Sequence, residues 1–141
     1  GKLDERTYLI RLNRGEDVHE KIKAFCNEQG INNALVSGLG SLENPTLAHY
    51  RMDTKKYTEI KMPGIFELTN LTGNIGLLDK DLILHFHVTI ANEEMQAFGG
   101  HLVGGTASAT LELTLTAYPT TYAKKLDEAI GLKLWELPEE I

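Results

Sequence analysis

The sequence lacks several features that would assign a protein to a particular class. Its one cysteine, Cys26, cannot form an internal disulfide, which favours a reducing compartment. No apolar run approaches the roughly 18 residues that a membrane-spanning helix needs. We also expect no secretory leader, because the sequence does not open on a basic-then-apolar stretch. Together these absences lead us to expect a cytoplasmic protein.

Basic residues are also scarce, with 14 lysines and arginines against 20 acidic residues and a formal net charge of −6. Nucleic-acid affinity depends mainly on lysine and arginine side chains that displace counterions from phosphates. The densest basic spots are only two pairs, Lys55-Lys56 and Lys124-Lys125. The overall charge therefore disfavours DNA binding, because the global field repels a polyanion.

What is present is an ordinary globular composition, with 42% hydrophobic and 24% charged residues. A chain of 141 residues is expected to form one domain and to bury a core without disulfides. We find no repeat, linker or low-complexity segment. We therefore predict a single domain over residues 1–141.

Two helices are predicted. The first follows Asp17, a plausible N-cap, and ends at Gly30, a plausible C-terminal stop. Its apolar residues recur at helical spacing, which indicates one buried stripe: Val18, Ile22, Phe25 and Cys26. The second predicted helix is short and covers Thr121–Gly131. His19, in the first turn of the first helix, is predicted to be solvated.

Most of the remaining chain has the period-two pattern of strands. The predicted strands are Tyr8–Leu12, Ile31–Leu42, Thr46–Met52, Lys56–Met62, Ile65–Ile75, Leu82–Ile90 and Thr106–Tyr118, with a last extended piece at Leu132–Leu137. The segment Ala91–Gly105 is predicted to be a loop. These elements define an α+β fold, a single compact domain with a mostly antiparallel sheet of six to seven strands and two helices.

Three of the five histidines lie within the stretch LILHFHVTIANEEMQAFGGH. On the strand Leu82–Ile90, one face is entirely apolar and the other carries His85 and His87. Two residues so spaced lie roughly 6.5–7 Å apart at Cα and point the same way, so their imidazoles can converge on one ion. His101 is the candidate third ligand, because the preceding Gly99 and Gly100 form a flexible supporting loop.

Three histidines with an open coordination position are typical of a catalytic zinc site. Zinc is the favoured divalent metal, although nickel, copper, cobalt or iron also accept imidazole ligands. The alternative is that the histidines are ordinary polar or packing residues. The sequence does not choose a fourth ligand or proton shuttle among four candidates, which are Glu67, Glu93, Glu94 and Glu112.

The ordered set VSGLGSLENPTL, FELTNLTGNI, LHFHVTIAN and GGHLVGG, with the closing YAKKLDEAIGLKLWEL, resembles the PPC domain, the plants-and-prokaryotes-conserved domain. The resemblance spans nearly the whole chain. It implies a compact α+β domain that assembles as a homotrimer. It also implies a metal on His85, His87 and His101. The sequence has no AT-hook, the Arg-Gly-Arg-Pro element that binds DNA in plant relatives, so it is similar to stand-alone prokaryotic members.

Three functions stay open at this point. The favoured one is a homotrimeric, metal-binding protein that acts on a small polar or carboxylated molecule, with catalysis undecided. The second is a DNA-associated or regulatory assembly domain, as in the plant relatives. The third is a structural trimer that recruits other proteins and uses the histidines for packing.

Overall fold

The computed structural model describes residues 1–139, in which the chain forms one α-helix and eight strands. In chain order the elements are β1 (Thr7–Leu12), α1 (Val18–Gln29), β2 (Ala34–Arg51), β3 (Lys56–Lys61), β4 (Ile65–Leu78), β5 (Asp81–Ala91), β6 (Ala97–Ala117), β7 (Lys124–Asp127) and β8 (Leu132–Trp135). Within this part of the chain, no helix has the length and hydrophobicity that a membrane span requires.

The main sheet has six antiparallel strands in the order β1-β6-β5-β4-β2-β3. An additional antiparallel pairing joins β6 to β2. The pairings β6–β5, β5–β4, β4–β2 and β2–β6 therefore form a closed ring. The two long strands β2 and β6 bend at register shifts to take part in these several pairings.

Helix α1 forms where the sequence predicts it. The Asp17 carboxylate accepts a hydrogen bond from the backbone N–H of Glu20 at 2.8 Å, which caps the helix N-terminus. Gly30 ends the helix in the left-handed conformation, with φ of 67°. Val18 and Ile22 are fully buried against the strands, so the apolar stripe covers the core.

The core lies between α1 and one face of the strands, and alternation predicts that face correctly. On β5, Phe86 and Ile90 are fully buried, whereas the intervening side chains at 85, 87 and 89 are half-buried or exposed. On β6, the buried residues of the predicted apolar face recur at every second position: Leu111, Leu113 and Leu115. The histidine-bearing face of β5 is therefore the face opposite the core.

The predicted second helix is wrong, because Thr121–Gly131 contains a strand and a turn instead. Strands β7 and β8 form a separate two-stranded antiparallel sheet. The Asp127 carboxylate accepts hydrogen bonds from the backbone N–H groups of Ala129 and Ile130, and Gly131 has φ of 85°. These side-chain hydrogen bonds to the backbone stabilise a turn in place of a helix. The fold is thus mostly β with one described helix.

The boundaries of two long strands also differ from the prediction. Strand β2 runs for 18 residues without a break, where the sequence suggested two strands. Strand β6 begins at Ala97, so most of the predicted loop belongs to it. The turn before it is short, and the Asn92 side chain accepts hydrogen bonds from the N–H groups of Glu94 and Gln96.

Candidate metal centre

His85 and His87 project from the same face of β5, on either side of the buried Phe86. Their Nε2 atoms lie 3.2 Å apart, and their ring centroids are 5.0 Å apart. Two imidazole nitrogens at this separation can share one hydrogen bond or one cation. The strand period alone brings the pair together, as the sequence predicts.

His101 joins the pair through sheet pairing and not through a loop. It lies on β6 directly opposite His87, and its ring centroid is 5.5 Å from that of His85. Gly99 and Gly100 are therefore strand residues, and the predicted supporting loop is wrong. A Cβ atom at Gly100 would lie 3.0 Å from the carbonyl oxygen of Ala48, so glycine permits a close approach of β2 and β6.

The three histidines each offer a ring nitrogen, and these three atoms all lie within 4.8 Å of one another. Among residues 1–139, this is the one cluster of three or more histidine, cysteine or acidic side chains at such separations. The glutamates that the sequence left open belong to no such cluster: Glu67, Glu93, Glu94 and Glu112. The cluster thus consists of three imidazoles without a carboxylate.

The electrostatic environment favours the neutral form of two of these rings. Burial lowers the pKa of His85, and the neighbouring Lys124 and His87 lower it further. Burial also lowers the pKa of His101 to about 4, with His85, His87 and then His19 adding to the effect. A neutral imidazole keeps a lone pair for coordination, so both rings suit a metal at neutral pH.

His101 has a stacked neighbour, Tyr57, and one ring nitrogen that lacks a hydrogen-bond partner. The Tyr57 ring stacks on the His101 ring with centroids 5.0 Å apart and an interplanar angle of 28°. The Nδ1 atom of His101 is buried and has no hydrogen-bond partner in the described part of the chain. Such an atom needs a partner. An ion or a water molecule beside the ring would supply one, so the donor set fits a metal.

A cavity of about 300 Å³ opens beside the cluster. His85, His101 and Tyr57 line it from the main sheet, and the C-terminal hairpin β7–β8 supplies much of the opposite wall. Two of the three clustered histidines therefore face a space large enough for a small ligand.

Lys124 is the most unusual residue of this cavity, because only 3% of its surface is exposed. Its Nζ donates a hydrogen bond to the Asn74 side-chain oxygen at 2.8 Å and lies 4.6 Å from the centroid of the Trp135 ring. Burial lowers its pKa. Asn74 on β4 is the register partner of His85, so both side chains lie on the same face of the sheet.

Sequence reasoning missed this part of the site. Tyr57, Asn74 and Trp135 have no local signal, since their roles arise only when β3, β4 and the hairpin pack around the cluster. Lys124 falls within the predicted second helix, and that prediction gave no indication of its burial. The prediction for His19 is also wrong. It is half-buried, with its ring centroid 5.4 Å from that of Phe86 and a buried Nδ1 that has no described partner.

The fold and the site together define a small β-rich domain with three clustered histidines beside a cavity. The sequence model of the Plants and Prokaryotes Conserved (PCC) domain family matches residues 2–119. The chain therefore belongs to this family, which confirms the resemblance seen in the sequence. A comparison with curated proteins finds no match.

Solved structures of similar proteins cover nearly the whole chain. A plant- and prokaryote-conserved protein from Pyrococcus horikoshii is 38% identical, with a TM-score of 0.88 over 95% of this chain and 93% of that one. A protein from Bacteroides thetaiotaomicron, described provisionally as DNA-binding, is 26% identical, with a TM-score of 0.91 over 96% and 94%. A metal-containing protein from Archaeoglobus fulgidus is 27% identical, with a TM-score of 0.84 over 96% and 99%.

Proposed function

We propose that this protein binds a divalent metal, with zinc the favoured ion, through His85, His87 and His101. The observation that carries the proposal is the convergence of three imidazole nitrogens within 4.8 Å of one another. The similarity to a metal-containing protein from Archaeoglobus fulgidus supports it. We further propose that the site acts on a small polar or carboxylated molecule held in the adjoining cavity.

The ligand set is what distinguishes a functional site from a structural one. Structural zinc sites use four protein ligands, whereas three protein ligands leave a position for a small molecule. A bound zinc ion would supply Lewis-acid polarisation of a ligand oxygen. The residues of this chain would orient that ligand. His85 and His101 border the cavity, and Tyr57 fixes the ring of His101 by stacking on it.

Elemental analysis of protein purified without a histidine tag tests the proposal. We expect about one metal ion per chain in the wild type and none in the His85→Ala/His87→Ala variant. His49→Ala is the matched control, because His49 is exposed on β2 and lies outside the cluster. Wild-type protein that stays metal-free after zinc loading would overturn the proposal. Equal metal in all three proteins would show that the ion binds elsewhere.

We also propose a homotrimer, as the family resemblance implies. Leu9, Leu35 and Leu39 are each about half exposed, at 49%, 53% and 55%. Sheet register places them on the same outer face of β1 and β2, on either side of β6. Light scattering coupled to size exclusion tests this: we expect three times the 15.7 kDa chain mass and a smaller species for Leu35→Glu/Leu39→Glu. A wild-type monomer would exclude the trimer.

DNA association is the second candidate, and its support is the similarity to a protein described provisionally as DNA-binding. The net charge of −6 opposes it. The structure weakens it further, because Lys124 is buried and only Lys125 of that pair is exposed. A binding constant for duplex DNA whose logarithm falls linearly with the logarithm of the salt concentration would support DNA association. No binding in low salt would remove it.

A further inference from the structure

Lys124 is a buried cation to which the described residues bring no anion. No carboxylate lies within 4.0 Å of its Nζ in residues 1–139, and the ion pairs of that region involve other lysines and an arginine. A charge removed from water is costly unless it is paired or well hydrogen-bonded. The burial of this ammonium therefore requires an explanation.

The partners that Lys124 does have satisfy it only in part. An ammonium group has three N–H donors, and the described residues supply one acceptor, the Asn74 side-chain oxygen. The Trp135 ring face attracts the cation but accepts no conventional hydrogen bond. Lys124, which lines the cavity, thus keeps N–H donors that have no acceptor among the described residues.

The position of Lys124 is fixed by several contacts of the hairpin and is not a chance rotamer. Ala123 pairs with Leu77 of β4 through an isolated parallel bridge, which anchors the start of β7. A Cβ atom at Gly76 would lie 2.7 Å from the Trp135 ring and 2.8 Å from Cε of Lys124, so glycine there makes room for both side chains. The ammonium is consequently held at Asn74, which is the register partner of His85.

Most of the remaining wall of the cavity is apolar, and Lys133, whose side chain is exposed, is the other charged residue of the lining. Leu126, Leu132 and Leu134 come from the hairpin, and Leu84 comes from β5. A ligand that fits this space has one charged end, and the rest of the molecule is hydrophobic. Its charged end lies near Lys124 and the histidines, and its hydrophobic part lies against the leucines.

We propose that the cavity binds a small aliphatic carboxylate and that Lys124 is the residue that binds its negative charge. This inference rests on the proposed function, because it places the ligand beside the histidine cluster. A carboxylate suits the site better than a phosphate. The cavity offers one buried lysine, one exposed lysine and otherwise mostly apolar walls, whereas a phosphate dianion calls for several buried donors or an arginine fork.

The single tryptophan of the chain provides a direct readout. Because the Trp135 ring lies against Lys124, its fluorescence should respond to an anion at Nζ. The probes are isovalerate, its neutral analogue isovaleramide, and inorganic phosphate, each titrated into zinc-loaded protein. We expect saturable binding of isovalerate and none of isovaleramide or phosphate. Binding of isovaleramide equal to that of isovalerate would overturn the charge assignment, and preferential phosphate binding would overturn the ligand class.

Lys124→Met tests the residue itself, since methionine keeps much of the length and removes the charge. Lys133→Met is the matched control, because Lys133 also lines the cavity but is exposed. The binding of isovalerate is measured by calorimetry. We expect it to bind Lys124→Met at least about tenfold more weakly than the control. Equal affinities would contradict the inference. If Lys124→Met does not fold, the charge assignment is tested by whether the wild type binds isovalerate and not isovaleramide.

Metal content, measured on the same samples, separates this inference from the proposed function. Zinc bound with no isovalerate binding overturns the role of Lys124 and leaves the metal site standing. No zinc, but isovalerate binding that depends on Lys124, overturns the metal site and supports the carboxylate-binding role.

Discussion

His87 and His101 are direct partners across the antiparallel β5–β6 ladder, and their ring centroids lie 5.7 Å apart. Two consecutive strands that form a hairpin are joined here by ordinary sheet register. The third ring, His85, comes from the strand period of β5. A cluster built on regular strands is rigid, which favours a preformed ligand geometry.

The lowered pKa of His101 gives the first prediction. In metal-free protein, we expect its ring protons to titrate with a midpoint of about 4, because burial and the neighbouring histidines disfavour the imidazolium form. Two-dimensional NMR of the imidazole resonances measures this midpoint directly, and His101→Asn identifies the signal. A midpoint near the ordinary histidine value of about 6.5 would contradict the described environment.

The same shift affects stability. Because the folded pKa is lower than the unfolded one, the unfolded chain binds more protons between these two values. The contribution of His101 is therefore fully present above about pH 6.5 and is lost as the pH falls through about 4. The melting temperature of the metal-free wild type should fall more over this range than that of His101→Asn. Parallel curves would refute the linkage.

Tyr57 is predicted to act as a positioning residue for His101. Its stacked ring restricts the imidazole, and aromatic pairs of this kind contribute about 0.5–1.5 kcal/mol. Tyr57→Leu should therefore weaken zinc binding by up to about tenfold in a chelator competition assay. Tyr118→Leu serves as the control, because Tyr118 is exposed and does not line the cavity. Equal zinc affinities in the two variants would exclude this role.

Gly73 on β4 is predicted to be intolerant of a side chain. A Cβ atom there would collide with the carbonyl oxygen of His85 and would lie 2.5 Å from the Phe86 ring. Gly73→Ala should destabilise the protein by about 1–3 kcal/mol in urea unfolding. Gly104→Ala is the matched control, since a Cβ atom at Gly104 meets nothing within 4 Å. Similar unfolding midpoints for the two variants would disagree with the described packing.

Cys26 should be chemically inert in the folded protein. Its thiol is fully buried on α1, and burial raises its pKa to about 11. Ellman's reagent should label no thiol in native protein and one per chain in denaturant. Thr58→Cys provides an exposed control on β3 that should react at once. Rapid labelling of native wild-type protein would show that α1 does not cover this position.

Local patterns predicted the elements whose signals lie in neighbouring residues. The Asp17 cap and the spacing of Val18 and Ile22 predicted α1, and alternation on β5 predicted both the core face and the histidine pair. Glycine-rich sequence misled the prediction around His101. There β6 pairs with β5 in a hairpin and with β2, which is distant in sequence, and these pairings override local propensity.

The C-terminal segment failed for a related reason. It was predicted to be a helix, but the Asp127 carboxylate accepts hydrogen bonds from the turn amides and Gly131 takes a left-handed conformation, which together favour a hairpin. The cavity could not be predicted, since it exists only where that hairpin packs over β4 and buries Lys124. Burial of a lysine has no signature in a single sequence.

The most direct measurement is an anomalous difference map from a crystal of zinc-loaded, untagged protein, recorded at the zinc edge. We expect a peak among His85, His87 and His101, at about 2.0–2.1 Å from one nitrogen of each ring. We expect no such peak in the His85→Ala/His87→Ala variant. An empty cluster in the zinc-loaded wild type, with the three rings in the described arrangement, would contradict the assignment of a metal centre.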